Sequence, residues 1–265
     1  QLARDAGVQF IEDCGVAELE TQPLLDGALS VSSVQTVHGD RIGCDNLLLA
    51  CGQWTRQLAA SVGVNVPVAI VPHQYTVFDR MVDESGKTVV NNTLPVVRDY
   101  ENKIYIKPEV GGLMVGAFEG PHALMPENVA ARNRGEVEVP ADASHELYTR
   151  TTDKMEDGLM AAMSLVPSLA QTGIKQMVHG PDTHSVDHEP LLGRAPDTDN
   201  LWVATGFNSL GIQLGPGVGH ALAEWIHDGE PGGSLAADFA ELDVRRFHAA
   251  HTGANHWCTA RALEG

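Results

Sequence analysis

The chain has 265 residues, enough for one large domain or two smaller ones with a real core, and a hydrophobic share of 43% excludes a disordered chain. Its 17 basic and 35 acidic residues leave a net charge of -18, which argues against nucleic acid or an anionic membrane as partner. Cys14, Cys44, Cys51 and Cys258 form no CxxC pair, so neither a disulfide framework nor a zinc ribbon is suggested, and a reducing compartment (cytoplasm or mitochondrial matrix) is expected.

No apolar run approaches the roughly 20 residues of a membrane helix. Gln1 to Gly7 reads as the end of a helix closed by a glycine, as if the chain began inside an element, and both ends look cut. Val8 to Ile11 reads as a short strand, and Gln22 to Cys44 as a meander with a turn at His38-Gly39-Asp40. Asn46 to Ala50 is a continuous apolar run, suited to a strand buried on both faces. Cys51 to Trp54 follows as a tight loop, and Thr55 is placed to cap a helix reaching about Val62.

The middle changes character. Ala69–Asp79, Pro95–Asp99, Lys103–Lys107 and Leu113–Phe118 read as strands, the last two joined by a hairpin over Pro108 to Gly112. Alternation puts Ile104 and Ile106 on one face, with Tyr105 and Lys107 on the other. Several antiparallel strands in a row suggest an α+β unit distinct from the opening segment. Gly120 to Pro140 reads as a polar loop. Ser144 to about Leu165 reads as a helix whose Met155, Leu159, Met163 and Val166 stripe belongs in a core. Ile174 to Val178 reads as a strand, Gly180 to Pro196 as irregular, and Leu201 to Thr205 as a buried strand.

A glycine-rich stretch, Gly206 to Gly219, then leads to a helix with Val218, Ala221, Leu222, Trp225 and Ile226 on one face. Strand, glycine loop and helix start together make a backbone that can approach a flat or anionic ligand closely. The spacing Gly215-Pro216-Gly217-Val218-Gly219 does not meet GxGxxG. His184 and His188 could suggest zinc, but their segment is not helical and lacks a third ligand cluster, so no metal is expected.

The run from Pro181 to Ile212, with its pattern PLLG..P...NL.VATG....G, resembles the C-terminal flavin-binding segment of the D-amino-acid oxidase superfamily. Val71-Pro72-His73-Gln74-Tyr75, Leu94 to Asp99, Phe207-Asn208-Ser209 and Glu241 to Phe247 narrow the likeness to the dimethylglycine and sarcosine dehydrogenase family. The resemblance covers nearly the whole chain. It implies an α/β and α+β fold: an incomplete FAD-binding domain plus an antiparallel-sheet substrate domain. Residues 1–68 would be the later part of the FAD-binding domain, 69–173 the substrate-binding domain, 174–230 the returning FAD-binding segment and 231–265 a tail. The GxGxxG motif, and a histidine that often holds the flavin covalently, would lie upstream. A folate domain would lie beyond Gly265.

The resemblance further implies FAD-dependent oxidation of a small N-methylated amino acid, with either oxygen or an electron-transfer flavoprotein as acceptor. Cofactor contacts would come from Gly52 and Trp54 (Cys51 to Trp54 is similar to the family's AAG.W loop), Pro190, Leu191, Gly206, Phe207, Asn208, Ser209, Gly211 and Ile212. His73 would position or deprotonate the amine and Tyr105 would fix the substrate. Arg98 and Lys107 are the cations available to a substrate carboxylate. Cys51 reads as a small core residue. The same family holds a non-catalytic regulatory subunit of pyruvate dehydrogenase phosphatase, and oxidases of the glycine and sarcosine type that use oxygen. Retention of His73 and Gly211 argues against the first alternative.

Overall fold

A computed structural model describes residues 1–118, 127–143, 148, 152–231, 239 and 241–247. In chain order the elements are α1 (Leu2–Asp5), β1 (Val16–Pro23), β2 (Leu29–Thr36), β3 (Arg41–Gly43), β4 (Leu47–Leu49), α2 (Thr55–Ala60), β5 (Val68–Phe78), β6 (Val97–Asp99), β7 (Ile104–Glu109) and β8 (Gly112–Ala117). They continue with α3 (Glu127–Asn133), α4 (Glu156–Leu165), β9 (Ile174–Ser185), β10 (Leu191–Arg194), β11 (Leu201–Thr205) and α5 (Gly211–Asp228). The chain forms two compact units, one of Gln1–Val68 with the described residues from His188 onward, the other of Ala69–Asp187.

The first unit is discontinuous in sequence. Strands β1, β2 and β3 form an antiparallel meander, as their alternation suggests, but it begins at Val16 and not at Gln22. Gly39 sits at φ 88 in the turn expected at His38 to Asp40. The strand expected at Val8 to Ile11 is not formed. Val8, Phe10 and Ile11 are all more than half exposed, and an unpaired apolar run has neither ladder nor packing to hold it extended.

A second sheet has the order β10-β11-β4, with β10 antiparallel and β4 parallel to β11. The alternation of β11 serves both faces. Leu201 and Val203 join Leu49, Val31, Val66 and Leu191 in one core. Trp202 and Ala204 join Leu192 and the Val218, Ala221, Leu222 and Trp225 stripe of α5 in another. Each fully buried aliphatic side chain here contributes about 1.5–3 kcal/mol. β4 departs from the expectation of burial on both faces: among the described residues it stands at the sheet's edge, and Leu48 is 39% exposed. Thr55 does not cap α2. It is the helix's first residue, and its Oγ1 accepts the Cys51 N–H at 3.1 Å. Asn200 ties the two stretches of sequence together. Its Oδ1 accepts the Val31 N–H at 2.7 Å, and its Nδ2 donates to Val31 O and Asp45 O at 2.8 and 2.9 Å.

The second unit is built on a five-stranded sheet of order β6-β7-β8-β5-β9. β7 and β8 form the expected hairpin, with Val110 and Gly111 both at positive φ in its turn. One face packs Phe78, Ile104, Ile106, Leu113, Val115 and Ala117 against Met155, Ala162 and Leu169, so the methionine stripe is core at Met155 and partly so at Met163. α4 approaches closely because Gly158 has no side chain: a Cβ there would stand 2.8 Å from that of Ala117.

Three expectations change. Residues 144–147 and 149–151 of the expected Ser144–Leu165 helix lie outside the described residues, and α4 itself starts at Glu156. The polar Gly120–Pro140 stretch contains α3, anchored by Asn133, whose side chain pairs with both the N–H and O of Ile70. The region read as irregular from Gly180 holds the second half of β9, then β10. β9 is an edge strand, where Pro181 removes no needed donor. It therefore belongs to this unit's sheet, which reaches past residue 173 to Asp187.

Candidate functional site

The sheet of the second unit buries one face and leaves the other to polar and aromatic residues. Register lines them up: Arg98 opposes Tyr105, Tyr105 opposes Gly116, and Gly116 opposes Tyr75. His73 lies two residues along β5 from Tyr75, and Phe118 two residues beyond Gly116, so period-2 alternation puts both on this face.

His73, Tyr105 and Phe118 form a three-ring cluster. Ring centroids are 6.1 Å apart for His73 and Tyr105, 5.5 Å for His73 and Phe118, and 5.6 Å for Tyr105 and Phe118. The Tyr105 hydroxyl lies 3.3 Å from Nε2 of His73. Burial pushes the His73 imidazole below the ordinary histidine range. The Asp182 carboxylate pulls it back up, while His184 and His179 add to the downward push. Burial pushes the Tyr105 phenol up, helped by Tyr75 and Asp182 and opposed by the Arg98 guanidinium. Both groups are thus neutral at pH 7. With the imidazole proton on Nδ1, the phenol O–H donates to a free Nε2 lone pair.

The two candidate cations differ in their surroundings. The Arg98 guanidinium stands 5.3 Å from the Phe118 ring centroid and 5.8 Å from that of Tyr100, so its charge lies beside the ring cluster. Lys107 is engaged by Glu109 at 3.0 Å. His184 Nε2 meets Asp182 Oδ2 at 3.1 Å, and His188 lies in the other unit in a left-handed turn at φ 61. Among the described residues no group of three or more His, Cys, Asp or Glu is placed to hold a metal ion.

The residues expected at a cofactor fall in the first unit and gather at one end of its second sheet. Gly52 and Trp54 lie in the 3-10 turn that follows β4, and Gly206 to Ser209 follow β11, which runs parallel to β4. Thr205 Oγ1 donates to Gly52 O at 3.4 Å and holds the two turns side by side. Buried Pro190 and Leu191 open β10 at the same end, Leu191 facing Thr205. The carboxyl ends of parallel strands, where the strand order changes sense, are where open α/β sheets take ligands.

The helix after this turn starts at Gly211, well before Val218. Its first internal hydrogen bond runs from Leu214 N–H to Leu210 O at 2.9 Å. The amides of Gly211, Ile212 and Gln213 therefore precede the helical ladder and form its donor end. Gly206, Asn208 and Ser209 all have positive φ, between 51 and 68, and Ile212 is 98% exposed. Gln53, beside Gly52, is buried, and its Oε1 has no hydrogen-bond partner among the described residues. Helix-start donors and an orphaned carbonyl acceptor fit a flavin, whose ring edge carries C=O and N–H groups. Burial raises the Cys51 thiol, which suits a small core residue and not a reactive thiolate.

Sequence reasoning missed Phe118, Asp182 and His184 as members of the open face, and Gln53 beside the expected cofactor turn. Alternation from Tyr105 through the hairpin carries enough signal to find Phe118. The others needed β9 and the 3-10 turn.

The model of the family described as FAD dependent oxidoreductase (DAO) matches residues 1–225. The chain is 35% identical to 4-methylaminobutanoate oxidase (formaldehyde-forming) of Paenarthrobacter nicotinovorans, over all of this chain and 29% of that protein. It is 31% identical to mitochondrial sarcosine dehydrogenase of Mus musculus, over 97% of this chain and 26% of the relative. The chain thus spans less than a third of the length of these relatives. The solved structure of L-proline dehydrogenase from P. horikoshii is similar in fold, with a TM-score of 0.69 at 19% identity, covering 94% of this chain and 57% of that one.

Proposed function

The chain belongs to the FAD-dependent oxidoreductases of the D-amino-acid oxidase type, and from that premise we propose that the protein oxidises a small N-methylated amino acid of the sarcosine, dimethylglycine or 4-methylaminobutanoate kind. The observation that carries this reading is the His73, Tyr105 and Phe118 ring cluster with the Arg98 guanidinium beside it. Aromatic rings attract the methyl-bearing face of an amine, and a guanidinium forms charge-assisted hydrogen bonds to a carboxylate.

In this reading Arg98 holds the substrate carboxylate and Lys107 stays with Glu109. Phe118 and Tyr105 line the methyl groups and keep water from them. The Tyr105 hydroxyl passes its proton to Nε2 of neutral His73 and takes up the ammonium proton in its place, freeing the nitrogen lone pair that forms C=N as a C–H bond breaks. Tyr105 orients the imidazole through its hydroxyl. When bound, FAD supplies the acceptor for the hydride. The first unit holds that cofactor through the turns at Gly52–Trp54 and Gly206–Ile212. The amides of Gly211, Ile212 and Gln213 would meet its negative charge, and buried Pro190 and Leu191 would support the turns from the core side.

The test is anaerobic mixing of the full-length protein with sarcosine, dimethylglycine and 4-methylaminobutanoate, and with glycine and 4-aminobutanoate as unmethylated controls. The flavin absorbance should bleach with the methylated set. His73→Ala should slow that bleaching about 10²-fold or more. No bleaching with any methylated amine, or a His73→Ala rate within a few-fold of the parent, would overturn the assignment. One relative is named an oxidase and the other a dehydrogenase. The electron acceptor, oxygen or an electron-transfer flavoprotein, is therefore read by reoxidising the reduced protein with oxygen and with a dye. A flavin that stays with the chain after denaturation would add the covalent link, and folate-dependent capture of the one-carbon product would add a folate domain.

A further inference from the structure

We propose that Gly116 is a positioning residue for the His73 and Tyr105 pair: the missing side chain at 116 is the seat on which the Tyr105 ring lies, and it sets the reach of the phenol hydroxyl to His73. The inference rests on the reading of that pair given above.

Tyr105 stands on β7 and His73 on β5, with β8 between them. Neighbouring strands lie about 4.8 Å apart, so the two side chains start roughly 9.6 Å apart across the sheet. Yet the hydroxyl reaches to 3.3 Å from Nε2. It does so by leaning across β8 at the residue directly opposite Tyr105, which is Gly116. A Cβ built at 116 would fall well inside contact distance of Cζ, Cε1 and the hydroxyl oxygen of Tyr105. Side chains of opposed residues normally stand side by side above the pleat. Here one of them is absent and its space holds the other's ring.

Backbone conformation does not demand the glycine, since Gly116 is not among the positive-φ residues. A glycine inside a strand weakens it and marks a site of close approach. Phe118, on the same face, contacts both rings and closes the far side of the seat. The obstructed atoms are the far end of a side chain with two torsions. A methyl at 116 would therefore tilt the phenol off the sheet and spare the β7 and β8 ladder.

The experiment is a double-mutant cycle in the full-length, FAD-loaded enzyme, with Gly116→Ala, Tyr105→Ala, the two combined, and Tyr105→Phe. The limiting rate of anaerobic flavin reduction is measured, together with the titration of the labelled His73 ring by NMR. Gly116→Ala should lower the rate about 10- to 10²-fold, as displacement of a catalytic group by about 1 Å does. It should also move the His73 titration in the direction and to the extent that Tyr105→Phe does. With Tyr105→Ala already present, the ring is gone and the methyl has room, so adding Gly116→Ala should change the rate by less than about twofold. The same fold-loss in both backgrounds, or a Gly116→Ala His73 titration identical to the parent's, overturns the proposal. If Tyr105→Phe leaves the rate unchanged, the catalytic reading of Tyr105 fails, and the His73 titration of Gly116→Ala still decides the seat.

Discussion

Burial holds His73 below the ordinary histidine range, and the groups that face it are Asp182, His184, His179 and Tyr105. The consequence for stability has a definite sign. Between the folded-state value and the unfolded value near 6.5, the unfolded chain binds more protons at this site. The contribution of His73 is therefore complete above about pH 6.5 and is lost as pH falls through the folded value. His73→Gln should flatten the fall in denaturant midpoint between about pH 7 and pH 5, and an unchanged slope would contradict the burial argument. Arg98 and Lys107 make a matched pair of tests. Arg98→Ala should raise KM by about 10-fold or more through loss of a charge-assisted contact, whereas Lys107→Ala, which breaks a half-exposed pair with Glu109, should leave KM within about twofold. His73, Tyr105, Arg98 and Lys107 were legible as candidates because motif and alternation single them out without knowledge of strand order, but the sequence does not choose between the two cations. Phe118 lay one alternation step beyond what was read. Asp182 and His184 were hidden by Pro181, which argues against a strand in sequence and is harmless on an edge.

Among the elements, α5 is the one whose sequence and structure disagree most. Gly215, Pro216, Gly217 and Gly219 each disfavour a helix interior, Pro216 by about 3 kcal/mol and each glycine by about 1 kcal/mol. The helix nevertheless runs from Gly211, because Leu214, Val218, Ala221, Leu222 and Trp225 form one stripe packed on β10 and β11. Packing outweighs local preference there, which is why the sequence reads as loop up to Val218. An added Cβ at Gly217 meets no atom within 4 Å. Gly217→Ala should accordingly raise the denaturant midpoint by the equivalent of about 0.5–1 kcal/mol, and a lowered midpoint would mean the helix is not formed there. Gly158 predicts the opposite sign. Gly158→Val would force α4 away from Ala117 and Ile104 and should cost about 1–3 kcal/mol in the same measurement. The hairpin of β7 and β8 and the buried strand β11 were legible because each satisfies a local rule. The start of the meander and the length of β9 were not, since strand ends are set by partners distant in sequence.

For the molecule as a whole, the division into two units follows from a chain that leaves the first unit after Val68 and returns at His188. Asn200 holds the two halves of the first unit through three hydrogen bonds. Asn200→Leu strands buried backbone groups of Val31 and Asp45 and should cost about 2–4 kcal/mol. Hydrogen exchange should localise the loss to β2 and β11, with β5 and β8 protected as before; equal loss at all four strands would contradict the role of Asn200 as a tie within the first unit. The returning strand also has a consequence in time. Among the described residues β4 pairs with β11, about 150 residues later in the chain. At about 5–20 residues per second, the ribosome takes roughly 8–30 s to deliver it. All of Ala69–Asp187 emerges within that interval and can close its own sheet before the ladder of β4 and β11 forms.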